Sequence, residues 1–230
     1  MITIDVDFIS TVFPEDTKCA VCNQRKAKRP CPAKDGSICP LCCGEKRVLE
    51  LSCPETCEYL KAGREHESAG FGKRLQSQEP LQQEKCKRIL RENQDVVAYL
   101  EYTIAQQRLL SRDLCDDDVS KAVSILLDAY RTEDKGILYE KSSDDLRVEP
   151  LRMELREVIE AYRNPESEEE KGIVDPKRAR LPLRNAIECL EFLQSMIEAS
   201  SEDSRSSSSY VDFLARMTPR RETGSSIIMP

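Results

Sequence analysis

The sequence predicts a mainly α protein: a small cysteine-rich α+β metal-binding head followed by a helical, bundle-like domain. Three observations predict it. Eight of the eleven cysteines fall between Cys19 and Cys57. From about Pro80 onward, apolar residues recur at helical spacing. Charged residues make up 33% and hydrophobic residues 39% of the 230-residue chain, with no Trp, as expected of a helix-rich chain with a lean core.

The head opens on Ile2, Ile4, Val6 and Phe8, which alternate with Thr3, Asp5 and Asp7 and predict a short strand. Arg47 to Leu51 predicts one more. Ser52-Cys53-Pro54-Glu55 reads as a helix start, with Pro54 in the first turn and Glu55 at the positive end of the dipole; this helix should run to about Glu67 and stop at Gly70 and Gly72. The helical domain follows. Val96, Val97, Leu100, Ile104 and Leu110 mark its first helix. Asp116 to Asp118 open a second, carrying Val119, Val123, Leu126, Leu127 and Tyr130, with Gly136 as its stop. Leu151, Leu155, Val158, Ile159 and Tyr162 define a third, closed by Asn164-Pro165. A fourth starts near Pro182 and carries Ile187, Leu190, Leu193 and Ile197. Glu166 to Lys171 reads as a charged linker, Ser200 to Ser209 as a flexible serine-rich stretch, and Tyr210 to Met217 as a short docking helix before a flexible tail. The expected organisation is therefore 1–69 head, 78–199 helical domain and 200–230 linker, short helix and tail.

The cysteines are spaced Cys19-x2-Cys22, Cys31, Cys39-x2-Cys42-Cys43 and Cys53-x3-Cys57. A C-x2-C turn folds two sulfurs onto one ion. Residues that tolerate a left-handed backbone, here Asn23 after the first pair and Gly44 after Cys43, let amides point at the thiolates. Cys53 and Cys57 flank a predicted helix start, where the dipole favours thiolate charge. Met1 to Ser10 has neither a basic nor an apolar stretch of the signal-peptide kind, and no run of roughly 18 apolar residues occurs. The expectation is a cytoplasmic protein with reduced thiols and no membrane segment, in which clustered cysteines are metal ligands. Eight thiolates make two closed four-cysteine zinc sites; the spacing does not say which four share an ion. A region of some 45 residues is too small for a core of its own, so metal supplies its folding energy. An iron–sulfur cluster is the rival, but the tight ferredoxin run of three cysteines two apart is missing. A thiol redox sensor that releases metal on oxidation is another alternative. The single histidine, His66, reads as a surface residue. Cys86, Cys115 and Cys189 read as small buried hydrophobes.

The string CPAKDGSICPLCCGEKRVLELSCPETCEYL resembles the cysteine-rich N-terminal segment of an uncharacterised bacterial protein family with the pattern C-P…I-C-x-x-C-C-G-x-x-R…C-P-x-x-C-x-Y-L. The match runs through Cys31, Pro32, Ile38, Cys39, Cys42, Cys43, Gly44, Arg47, Cys53, Pro54, Cys57, Tyr59 and Leu60. The later string YRTEDKGILYEK is similar to a segment of the same group. The resemblance covers 31–60 well and 119–162 loosely. It implies a zinc-finger-like module joined to a helical region and brings no activity with it. Cys19 and Cys22 have no clear place in the pattern.

Residues 17–64 hold ten basic side chains against five acidic ones, a net +5 with neutral thiols, which leaves −12 for the rest of the chain. Two zinc–thiolate centres, each −2, would absorb most of that charge. Arg25, Lys26, Lys28 and Arg29 remain a dense patch able to meet phosphate, so a nucleic-acid-binding zinc finger is an alternative function. No aromatic residue lies between Phe13 and Tyr59 for base stacking. No catalytic constellation stands out: Gly70-Phe71-Gly72-Lys73-Arg74 only echoes a phosphate loop, and Asp116 to Asp118 suits a helix start. The leading expectation is a non-enzymatic zinc-binding protein whose helical part serves interaction or regulation, with a protein partner or self-association.

Overall fold

The computed structural model describes residues 17–77, 79–139, 141–165, 179–201 and 206–219. The predicted strand at Ile2 to Phe8, the linker at Glu166 to Lys171 and residues 220–230 lie outside them. The chain divides into two compact units, Met1–Gly63 and Arg64–Pro230.

In the first unit, β1 (Arg29–Cys31) and β2 (Gly36–Ile38) form an antiparallel hairpin with Arg29 opposite Ile38 and Cys31 opposite Gly36. The sequence reading missed this hairpin because each strand is three residues long, too short for alternation to register. Its turn works because Asp35 takes a left-handed φ of 45°, a conformation its short polar side chain tolerates. Helix α1 (Pro40–Lys46) follows, with Cys39 as its N-cap and Pro40 in its first turn. The core of this unit is made of Cys19, Cys31, Ile38, Cys39, Cys42, Cys43 and Leu51, so the cysteines are themselves the hydrophobic interior.

Two head expectations are corrected. Arg47 to Leu51 is no strand; it is a tight turn in which the Glu50 and Leu51 N–H groups both donate to the Lys46 carbonyl, leaving one isolated Arg47–Leu51 bridge. Helix α2 (Glu58–Ser77) starts later and runs longer than expected. Residues 52–57 make turns instead, and the helix passes through Gly70 and Gly72. Each glycine costs about 1 kcal/mol against alanine, too little to end a helix of good formers. The Gly70 to Arg74 string is thus helical, which removes its resemblance to a phosphate loop.

The second unit packs α3 (Pro80–Leu110), α4 (Asp116–Glu133), α5 (Val148–Arg163), α6 (Leu183–Ser201) and α7 (Ser209–Met217) around one core. Leu100, Ile104, Val123, Leu151, Leu155, Ile159, Leu190 and Leu193 are its fully buried centre. The apolar stripes expected for the four long helices meet there, except that Leu110, at the end of α3, is exposed, and Gly136 after α4 takes a φ of 80°. Helix α3 departs from helical backbone at Asn93 (φ −133°, ψ 29°), whose buried Oδ1 accepts from Asn185 Nδ2 at 3.3 Å. Of the serine-rich stretch, Ser200 and Ser201 belong to α6, residues 202–205 lie outside the described residues, Ser206 to Ser208 lead into α7, and Ser209 is its first residue. That last helix is seated by Asp116, whose carboxylate accepts the Tyr210 and Val211 N–H groups at 3.1 and 3.0 Å. Tyr210 donates its hydroxyl to Glu101, and Arg108 pairs with Asp212 at 2.8 Å. Among the described residues, no helix is long and apolar enough to cross a membrane.

Candidate metal centre

Four of the eight clustered cysteines form a tight group. The Sγ atoms of Cys19, Cys22, Cys39 and Cys42 all lie within 4.8 Å of one another, the one such group among the described residues. A tetrahedral ion with metal–sulfur bonds of about 2.3 Å needs sulfurs about 3.8 Å apart, so this set is close to closing on one ion. His66 is exposed on α2.

Local backbone explains how the chain builds this set. The first turn is closed by a bridge between Lys18 and Lys26 and by the Cys19 N–H donating to the Arg25 carbonyl at 2.8 Å. Asn23 turns the chain with a left-handed φ of 52°, as the sequence reading expects. Cys19 Sγ accepts from the Val21 N–H at 3.4 Å and from the Cys39 N–H at 3.2 Å, which couples the first cysteine pair to the second. Cys39 Sγ accepts from the Cys42 N–H at 3.4 Å across the first turn of α1. The Ala20 N–H donates to the Ser37 carbonyl on β2, fixing the loop against the hairpin.

These amides set the acidity of the thiols. Cys22 is brought down to about 6, chiefly by the backbone N–H groups of Arg25 and Gln24, with burial opposing. At Cys19, burial works against the thiolate, but the N–H groups of Cys22, Cys39 and Val21 outweigh it and the thiol is lowered. Cys42 is pushed up to about 12, first by burial and then by the neighbouring sulfurs of Cys39, Cys22 and Cys19. The group therefore ionises readily at one edge and resists gathering further negative charge. A divalent cation removes that resistance, because it supplies the charge that the crowded sulfurs lack.

Cys31, Cys43, Cys53 and Cys57 lie apart from this set and line a second, small cavity together with Arg47. Gly44, expected to be left-handed, is an ordinary residue of α1; the helix that carries Cys42 and Cys43 runs straight through it. The left-handed residue is instead Val48, with φ 65°, two residues after α1. A β-branched side chain at positive φ is costly, so nothing in the residue type signals this conformation. Cys115 is half-buried rather than a simple core residue: it caps α4, its own N–H donating to the Asp118 carboxylate at 3.0 Å. Cys86 and Cys189 are buried in the helical core, as expected.

The basic patch is partly occupied. The Arg25 guanidinium is hydrogen-bonded to Cys39 and lies near Cys22, and those contacts raise its pKa. Arg29 stacks over the Tyr59 ring, 4.9 Å from its centroid. Lys26 and Lys28 are exposed. Of the four residues singled out for phosphate contact, Arg29 is thus partly covered by the head, and Arg25 is exposed like the two lysines.

Comparison of the chain with family models, with curated proteins and with solved structures finds no match in any of the three.

Proposed function

We propose that this protein is a non-enzymatic metal-binding protein in which Cys19, Cys22, Cys39 and Cys42 hold one structural zinc ion, with the helical unit as an interaction or regulatory body. The observation that carries the reading is the convergence of four sulfurs with backbone amides already directed at three of them. Four thiolates and no fifth group leave zinc no open position for substrate, which favours a structural over a catalytic ion. Zinc suits four soft ligands in a tetrahedral set.

Elemental analysis of protein purified anaerobically tests the metal, and chelation tests its role. Zinc should be present without visible colour. Cys39→Ser/Cys42→Ser should lose one equivalent, and chelation should collapse the amide dispersion of the head in NMR spectra. A head that keeps its fold without metal would rule out the structural role. Iron with broad visible absorption would replace zinc with a cluster and make redox chemistry the working reading.

A further inference from the structure

We infer that Cys31, Cys43, Cys53 and Cys57 form a second four-thiolate zinc site, separate from the first, with its ligands interleaved among those of the first along the chain. The four come from distant pieces of chain, the end of β1, the middle of α1 and the turns before α2, yet they line one cavity. Their sulfurs are less tightly drawn together than the first four, so binding closes the surrounding loops about the ion, and the thiols give their protons to solvent as they ligate.

Three features mark this cavity as built for thiolates. Val48 holds its left-handed conformation against the preference of a β-branched side chain, and its N–H favours the Cys53 thiolate, while burial and the nearby Cys57, Cys31 and Cys43 sulfurs push that thiol up overall. That is the device found in the first site, where left-handed Asn23 precedes the amides that meet Cys22. Cys57 stands directly before α2, a 20-residue helix whose positive end favours a thiolate. Arg47 lines the cavity at 9% exposure, with Nε donating to the Cys43 carbonyl at 3.3 Å. Zinc with four thiolates carries −2, and a buried guanidinium beside it offsets part of that charge.

Gly63 leaves the space that the Arg47 guanidinium occupies. A Cβ there would fall 1.1 Å from Arg47 Nη1, so any side chain at 63 drives the guanidinium from its seat. Cys42 and Cys43 are adjacent on α1 and serve the two different ions. Ligands of the first site lie at 19, 22, 39 and 42, and those of the second at 31, 43, 53 and 57, so the two ligand sets interleave along the chain. The inference rests on residues the first site does not use and stands even if the first site fails.

Metal content of the full chain and cadmium NMR test it together. The unaltered protein should carry two zinc ions; Cys53→Ser/Cys57→Ser should keep one, and Cys19→Ser/Cys22→Ser should keep one. Cadmium-exchanged protein should give two resonances of four-sulfur ligation without need of any variant, which decides the matter if the variants do not fold. Gly63→Ala should shift one resonance and leave the other in place. A single cadmium resonance, with Cys53 and Cys57 alkylated as fast in loaded as in metal-free protein, overturns the second site. A single ion that depends on Cys53 and Cys57 but not on Cys19 and Cys22 upholds it and overturns the first site instead.

Discussion

At the level of single residues, the head depends on a few backbone positions that aim amides at sulfur. Asn23 is the clearest. At φ 52° it tolerates what a β-branched residue resists. Asn23→Gly should leave metal affinity unchanged, whereas Asn23→Val should weaken it roughly ten-fold, a cost of about 1.4 kcal/mol within the range for a strained residue. Competition against a chromophoric chelator measures both, and equal affinities for the two variants would refute the argument. Asn23 was legible because a C-x2-C pair announces the turn that follows it. The grouping of the cysteines was not. Spacing along the chain says which sulfurs share a turn; it does not say which turns meet. That is decided by the hairpin, whose register places Cys31 at one end and Ile38, next to Cys39, at the other. Val48 was illegible for the opposite reason: its side chain argues against the conformation it adopts.

At the level of elements, the long helices were the most legible part of the chain, since α3 to α6 each bury an apolar stripe that the sequence displays. The boundaries of α2 were not, because turns around the second cavity displaced the start that Pro54 suggested. Helix α7 is held through Asp116, whose carboxylate satisfies amides that a nine-residue helix leaves free at its N-terminus. Asp116→Ala should cost about 1–2 kcal/mol, read as a lower thermal midpoint. An unchanged midpoint would mean that α7 is seated by its apolar face alone. In α5, Arg152 clamps Glu149 with bonds of 2.8 and 2.6 Å and, with the Ser143 amide, lowers the carboxyl to about 2 against burial. Because the folded value is depressed below the ordinary 4.5, this contribution is complete above pH 4.5 and disappears as pH falls through about 2. Glu149→Gln should cost about 2 kcal/mol at neutral pH and progressively less on acidification, measured by denaturant titration at each pH.

At the scale of the whole molecule, the two units have different sources of stability. The second buries an apolar core of its own, whereas the interior of the first is largely sulfur. Chelation should therefore abolish structure within Met1–Gly63 while leaving most helical circular dichroism intact; simultaneous loss of both would show that the helical unit depends on the metal. The placement of the four clustered sulfurs has a further consequence for how the protein is made. All of them lie between Cys19 and Cys42, early in the chain. A nascent polypeptide can present them to an ion as soon as that stretch leaves the ribosome, before Cys53 and Cys57 have been exposed. Translation order thus gives the incoming metal five sulfurs, Cys31 among them, or six once Cys43 follows, rather than eight, and ligand sets that draw on Cys53 or Cys57 are avoided on the way out of the exit tunnel.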